Sequence, residues 1–283
     1  MSSPTDHSGA PAQRKIGLIA GNGQFPLIFA RAARDRGLSV YAVAHIGETV
    51  EELAQQVDAI QWLHVGQIKK LIRFFKRSGV GVAAMIGGIR KTRMFTDVRP
   101  DTKAIALFAA MRHTHDDGIL RAFAGVLEKS GIRVLPSTEL VPELLAPEGC
   151  WTRRRPSRAE RDDIELGWKL AKDIGRLGIG QCVVMGGGSV LAVEAIDGTD
   201  ATIARGGGLG RGNAVVVKIC KPNQDLRFDI PAVGVETIET MAAHGATALA
   251  VEAGRTVVFD REKMVAAADR AGIAVVALKG VDD

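Results

Sequence analysis

Apolar and polar residues alternate along this chain in runs that mark short strands and amphipathic helices. KIGLIA at 15–20 is an apolar strand, followed by the turn GNGQFP and a helical pattern, LIFARAARDRG, that stops at Gly37. SVYAVA (strand), ETVEELAQQV (helix), AIQWLHV (strand), QIKKLIRFFKRSG (helix) and VGVAAMIGG (strand) come next. Strands and helices that alternate with short joints predict a parallel sheet covered by helices on both faces. Two further helices are expected at 101–112 and 118–130, then a last strand, IRVLP, at 132–136.

The periodicity breaks at 146–158, APEGCWTRRRPSR, which reads as a linker. AERDDIELGWKLAKDIGRLG then reads as a long amphipathic helix. From 181 the pattern turns to hairpins: QCVVM, the turn Gly186–Gly188, SVLAVEAID, GTDATIA, a glycine run at 206–208 and AVVVKICK. Later segments mix helices with strands. The expected organisation is a disordered polar tail (1–14), a Rossmann-like α/β domain (15–145), the linker, and a smaller C-terminal α+β domain (159–283) that carries catalysis. Within the second domain lies KPNQDLRFDIPAVG, residues 221–234. Read as a strand, it sets Asn223, Asp225, Arg227 and Asp229 on one face and Leu226, Phe228 and Ile230 on the other.

A chain of 283 residues with 46% hydrophobic and 24% charged content is ordinary for a two-domain globular protein. Aromatic content of 5% argues against a base-stacking nucleic-acid platform. The net charge of +5 suits an anionic partner: a phosphate ester, nucleic acid or an acidic membrane surface. Three cysteines, Cys150, Cys182 and Cys220, lack metal-ligand spacing and read as reduced thiols of a cytosolic protein. The opening MSSPTDHSGAPAQRK has no apolar h-region, so a tail is expected rather than a signal peptide. No run of apolar residues is long enough to span a bilayer.

Two glycine-rich joints are candidates for anion binding. Gly21-Asn22-Gly23-Gln24-Phe25-Pro26 resembles a dinucleotide fingerprint but has Pro26 in place of the third small residue, and Ala44-His45 where a ribose-binding acid would end the second strand. Its amides can still face an anion at a helix start; the plainer reading is a tight turn. Gly87-Gly88 ends the fourth strand, and Arg90, Lys91 and Arg93 follow as anion-binding candidates or as a solvated loop. His113, His115, Asp116 and Asp117 have metal-ligand chemistry, although an Asp there more often caps a helix. Arg153, Arg154, Arg155, Arg158 and Arg161 read as a solvated linker that would also attract anionic headgroups. The glycine runs at 186–188 and 206–208 read as turns or as phosphate-facing nests.

As a whole, the chain resembles the LpxI family, the UDP-2,3-diacylglucosamine pyrophosphatases of lipid A biosynthesis. The resemblance runs from about residue 15 to the end and rests on IAGNGQFP (19–26), GGIRK (87–91), DDGILR (116–121), AVEAIDGTDATIARGG (192–207) and KPNQDLRFDIPAVG. It implies Mg²⁺-dependent hydrolysis of UDP-2,3-diacylglucosamine to UMP and 2,3-diacylglucosamine 1-phosphate (lipid X), with the lipid sugar enclosed between two domains. It also implies a cytoplasmic protein in peripheral contact with inner-membrane lipid, with no nucleic-acid partner and with a homodimer as one allowed state.

Pyrophosphate cleavage needs a polarising cation, a positioned water and charge relief for the leaving phosphate. Asp225, beside Lys221 and Arg227, is the first candidate for metal ligand or base; the competing reading is an ion pair with Arg227. On an extended strand Asp229 would lie about 13 Å away, too far to share one ion. Asp200, expected at a loop tip after Gly198, is therefore the second metal-ligand candidate. Lys218 and Lys221 are the catalytic cations expected to ease charge on the leaving group. Gly21, Asn22, Gly23, Gln24, Phe25, Gly87, Gly88, Lys91, Thr199, Gln224 and Arg227 are the expected substrate-binding residues. Water is expected at the β-phosphorus. An NAD-dependent or nucleotide-sugar-binding enzyme of the Rossmann type is the rival reading.

Overall fold

The computed structural model describes residues 14–89, 99–109, 116–222 and 224–280. The chain divides into two compact units, Met1–Leu140 and Val141–Asp283. Each is built around its own sheet.

In the first unit, β1 (Lys15–Ala20), β2 (Ser39–His45), β3 (Ala59–Leu63), β4 (Val82–Ile86) and β5 (Arg133–Leu135) form one sheet of order β3-β2-β1-β4-β5. Every neighbouring pair is parallel. β1 and β2 are buried nearly throughout, which is why they read as apolar runs rather than alternating ones. Helices α1 (Phe25–Asp35), α2 (Ile68–Arg77), α3 (Thr102–Ala109) and α4 (Asp116–Glu128) supply the crossovers. The helix expected over ETVEELAQQV contracts to a single 3₁₀ stretch, Glu51–Gln55, in which Leu53 alone is buried. One apolar anchor is too few to hold a longer amphipathic helix against the sheet. The α/β reading holds.

The second unit contains a six-stranded mixed sheet of order β6-β13-β11-β9-β7-β8. Its centre is three parallel strands, β9 (Ala214–Lys218), β11 (Ala246–Glu252) and β13 (Ala274–Leu278). The flanking β6 (Gly149–Cys150) and β7 (Cys182–Gly186) are antiparallel to them, and β8 (Ser189–Val193) completes a hairpin with β7. The stretch 146–158 is held to this sheet: Cys150 pairs with Val276, and Trp151 N–H donates to the Val275 carbonyl at 2.9 Å.

Helix α5 (Arg158–Arg176) covers one face, seating Ile164 and Ala171 against Val183, Met185, Val215 and Val217. It opens on a capping box. Ser157 Oγ accepts from Glu160 N–H at 3.2 Å, and the Glu160 carboxylate accepts from Ser157 N–H at 2.7 Å. Helices α6 (Thr199–Gly210), α7 (Val235–Ala243) and α8 (Arg261–Ala271) contribute Ile203, Ile238, Met241 and Met264 to the opposite core, around Val184, Val216 and Leu249.

Two sequence expectations are corrected here. GTDATIA is not a hairpin strand: Thr199 opens α6, and the glycine run 206–208 lies within that helix. A Cβ on Gly206 would sit 2.5 Å from the Val184 Cβ, and one on Gly207 would meet the His244 backbone. These glycines let the helix lie close to the sheet and to α7, so they are packing notches rather than turns. Gly186–Gly188 is the expected turn, with Gly187 and Gly188 at φ of 58° and 76°. Both of its amides donate to Asp163, at 3.0 and 2.7 Å, so an internal carboxylate occupies that nest.

The second correction concerns 221–234. Among the described residues there, only Ala232–Val233 is strand (β10), parallel to β12 (Val257–Val258). Residues around Asp225–Asp229 form a turn instead, with Phe228 N–H and Asp229 N–H both donating to the Asp225 carbonyl, at 3.0 and 3.3 Å. Two prolines, Pro222 and Pro231, bracket the segment, and the buried Gln224 side chain takes up local partners that a ladder would have supplied.

Candidate functional site

Parallel strands in α/β sheets present their carboxyl ends to ligands. In the second unit the sheet gathers that unit's own candidates at that edge. Lys218 is the last residue of β9, and the loop that follows carries Lys221, Gln224, Asp225 and Arg227. β8 ends at the same edge, so Glu194, Thr199 and the first turn of α6 lie there, with Asp200 in that turn rather than at a loop tip. An acid at this position also offsets the helix dipole. The charges of Glu194, Lys218 and Asp200 all act on the thiol of Cys182, which opens β7 beside Lys218. Burial pushes that thiol up to about 12, leaving it protonated and inert at neutral pH.

Lys218 is 7% exposed, yet its ammonium donates to the Ala232 carbonyl at 2.8 Å and forms no ion pair among the described residues. An ammonium has three donors, so this one retains capacity for an anion. Asp225 is tied to Arg227: Nε lies 3.0 Å from Oδ1 and Nη2 lies 2.8 Å from Oδ2. The Arg227 guanidinium is also stacked over the Phe228 ring at 4.8 Å. Thr199 Oγ donates to Glu194 Oε1 at 2.7 Å, and Gln181 N–H donates to Glu194 Oε2 at 2.9 Å.

Gln224 spends its amide on the loop itself. Its Oε1 accepts from Lys221 N–H at 2.8 Å and from the Cys220 thiol at 3.2 Å, while Nε2 donates to Asp229 Oδ2 at 2.6 Å. The turn therefore brings Asp229 back to Gln224, and the spacing of about 13 Å expected for an extended chain does not apply.

Glu252, at the end of β11, escaped sequence reasoning. It is 1% exposed and accepts from Lys172 of α5 and from Cys220 N–H, with Arg255 Nη1 3.8 Å away. Nearby burial pushes the Cys220 thiol up to about 11. A carboxylate closing the otherwise apolar run ALAVE was the available signal.

The glycine-rich joints of the first unit form a single junction. Gly21 N–H donates to the Ile86 carbonyl and Asn22 N–H to the Gly88 carbonyl, both at 2.8 Å. A Cβ on Gly21 would collide with the Gly87-Gly88 backbone, and one on Gly87 would collide with Asn22. Close backbone approach is thus the reason for glycine at 21 and 87. Asn22 Nδ2 donates to Glu48 at 3.2 Å, and Gln24 stands at the N-cap position of α1 without a side-chain cap bond, ahead of the buried Phe25. The amides of Gly23 and Gln24 make no hydrogen bond among the described residues and stand at the helix start. His45 ends β2 with Nδ1 2.9 Å from the Ala20 carbonyl; burial lowers its pKa and favours the neutral ring. Arg90, Lys91, Arg93, His113, His115 and Asn223 lie outside the described residues, as do the side chains of Asp116 and Asp117.

Family profiles divide the chain in the same way as its two sheets. The LpxI N-terminal domain matches residues 15–144 and the LpxI C-terminal domain matches 147–276. The chain belongs to the LpxI family. Among LpxI proteins, the UDP-2,3-diacylglucosamine pyrophosphatase LpxI of Caulobacter vibrioides is 32% identical over 280 residues, covering 95% of this chain and 98% of the relative. Solved structures overlap loosely. The multifunctional pyruvate carboxylase of Rhizobium etli aligns at 13% identity over 64% of this chain and 15% of its own, with a TM-score of 0.30. The biotin carboxylase domain of Hydrogenobacter thermophilus 2-oxoglutarate carboxylase aligns at 14% identity over 62% of this chain and 35% of its own, with a TM-score of 0.26. Overlaps of that quality bear on neither fold nor function.

Among the described residues no three His, Cys, Asp or Glu side chains converge as a metal cage. Magnesium does not require one. It binds through one or two carboxylates and completes its octahedron with water and substrate phosphates. Asp200, in the first turn of α6, and Asp225, in the loop after β9, are the carboxylates at this edge, and Arg227 engages both oxygens of Asp225.

Proposed function

We infer that this chain hydrolyses the pyrophosphate bond of UDP-2,3-diacylglucosamine, releasing UMP and lipid X. The match to the Caulobacter vibrioides pyrophosphatase along 95% of the chain, spanning both domain profiles, carries this reading. The substrate implies a place in lipid A biosynthesis.

The carboxyl edge of the second sheet supplies the chemistry such a reaction needs. Charge building on the leaving phosphate is met by Lys218, which is buried and free of a carboxylate partner, and by Lys221 in the adjoining loop. Arg227, Thr199 and Gln224, carried by the same edge of the second unit and its loop, are the side chains proposed to face the phosphates. Asp225 and Asp200 are the carboxylates proposed to hold Mg²⁺, which when bound would polarise the phosphoryl oxygens. Asp225 also orients the attacking water, its own position fixed by Arg227.

Two acyl chains on the substrate call for contact with a lipid surface, and no helix among the described residues is long and apolar enough to cross a membrane. The protein is therefore proposed to work peripherally, at the cytoplasmic face of the inner membrane. Incubating the purified chain with UDP-2,3-diacylglucosamine and Mg²⁺, then weighing the products, tests the reading. UMP and lipid X in equal amounts, abolished by chelation, are expected. No UMP release with either Mg²⁺ or Mn²⁺ would overturn it.

A further inference from the structure

The Lys172–Glu252 pair, with side chains 14% and 2% exposed, has no role in the reaction as described above, and its contacts are specific. Glu252 Oε2 accepts from Cys220 N–H at 2.9 Å, and Lys172 Nζ donates to the Cys220 carbonyl at 3.1 Å. The two side chains bind each other at 2.9 and 3.1 Å. Both hydrogen-bonding groups of one residue's backbone are thus held by the two members of one ion pair. Cys220 is the point where the chain leaves β9 for the loop bearing Lys221, Gln224 and Asp225.

Two close approaches reinforce this grip. One turn beyond Lys172, Gly175 lets the loop lie on α5, and a Cβ there would stand 3.2 Å from Pro222 Cδ and 3.4 Å from Lys221 Cα. On the other side, a Cβ on Gly280 would stand 2.8 Å from Glu252 Oε1. The Glu252 carboxylate therefore has little room to move. Beyond Cys220, Gln224 extends the restraint to Lys221 N–H and Asp229.

A buried ion pair is a poor device for stability alone, because apolar residues of similar volume commonly do as well once both charges are gone. Its value lies in direction: an ammonium and a carboxylate fix one peptide at two points, which packing against aliphatic groups does not. We propose that Lys172 and Glu252 are positioning residues that clamp the Cys220 backbone, and through it set where the Lys221–Asp225 loop places its side chains. This proposal rests on the pyrophosphatase reading and adds to it a pair outside the expected catalytic and binding set.

The test compares wild type with Lys172→Met/Glu252→Leu, which removes both members of the pair and leaves Arg255, whose side chain is 35% exposed, to be met by solvent. Two measurements are made. Amide hydrogen exchange, which needs no substrate, should accelerate about tenfold or more over residues 219–229 while α6 and α8 keep wild-type protection. Hydrolysis of UDP-2,3-diacylglucosamine should then show kcat reduced about 10- to 100-fold with KM changed less than about threefold, the mark of misplacement rather than lost binding. Unchanged exchange in the loop, or kcat within about twofold of wild type in a folded double variant, would overturn the proposal. Should the double variant fail to fold, Lys172→Met removes the donor to the Cys220 carbonyl while Arg255 stays 3.8 Å from Glu252, and it is read by the same two measurements and the same thresholds. A wild-type protein that hydrolyses nothing while the exchange effect stands would sink the pyrophosphatase reading and leave the clamp intact.

Discussion

Asp225 faces two readings that a double-mutant cycle separates. In the structure it is paired with Arg227 through contacts of 3.0 and 2.8 Å, with side-chain exposures of 19% and 33%. If Asp225 serves only this pair, removing either partner should have the same effect. A pair this accessible is worth no more than about 1 kcal/mol, since solvent screens it and Arg227 also rests on Phe228. Asp225→Ala should therefore lower stability by about 1 kcal/mol or less, visible as a melting shift of a few degrees. A carboxylate that holds the cation and orients the water is a different matter. Losing such a group from a phosphoryl-transfer site costs about 3–4 kcal/mol of barrier, or about 10²–10³ in kcat. Arg227→Ala, which leaves the carboxylate in place, should cost only about tenfold. The assay is UMP release at saturating substrate, with melting curves for all four proteins of the cycle. Equal losses in the two single variants, or an Asp225→Ala enzyme within about threefold of wild type, would refute the catalytic assignment.

Three further outcomes are expected. Burial pushes the Glu160 carboxyl up, but hydrogen bonds from Thr247, Arg154 and Ser157 N–H outweigh it and hold the group below its ordinary value. The stability it contributes is therefore present above the unfolded carboxylate pKa of about 4.3 and lost as pH falls through the lower folded value, so the melting advantage of wild type over Glu160→Gln should shrink in that acid range; a constant difference would count against the linkage. In α6, Gly206→Val should destabilise by about 1–3 kcal/mol through overpacking on Val184, whereas Gly208→Ala, with no neighbour within 4 Å of the new Cβ, should gain about 0.5–1 kcal/mol of helix propensity. Denaturant midpoints check both signs. Hydrolysis in oxygen-18 water should place the label on lipid X, reporting attack at the β-phosphorus with UMP leaving; label on UMP would reverse the geometry without touching the hydrolase assignment.

What the sequence could reveal followed from how each feature is encoded. Strands of the first unit announce themselves because a parallel sheet buried on both faces must be apolar throughout, as KIGLIA and SVYAVA are. The αβ alternation then leaves little freedom in topology. Glycine is the less informative signal. The same triple occurs as a turn at 186–188 and as a helix notch at 206–208, and only the neighbouring Val184 and His244 distinguish them. The KPNQDLRFDIPAVG segment shows the limit from the other side. Its alternation fits a strand, but Pro222, Pro231 and the Gln224 side chain replace ladder bonds with local ones, and the segment turns. The period of two was real in the letters and absent from the backbone.

The same contrast governs the site. Asp225, Arg227 and Lys221 stand out as candidates in the sequence because charge crowded into one short motif demands an explanation. Glu252 and Lys172 do not, since they are 32 and 48 residues from Cys220 and meet it only once α5 crosses the sheet. A lone carboxylate at the end of an apolar strand and a lone lysine on an amphipathic helix each have an ordinary reading as surface residues. Burial is what changes that reading, because a charge hidden from water must find a partner. The partner found here is the backbone from which the charged motif departs, so the residues that sequence reasoning chose for their chemistry are held in place by residues it had no reason to choose.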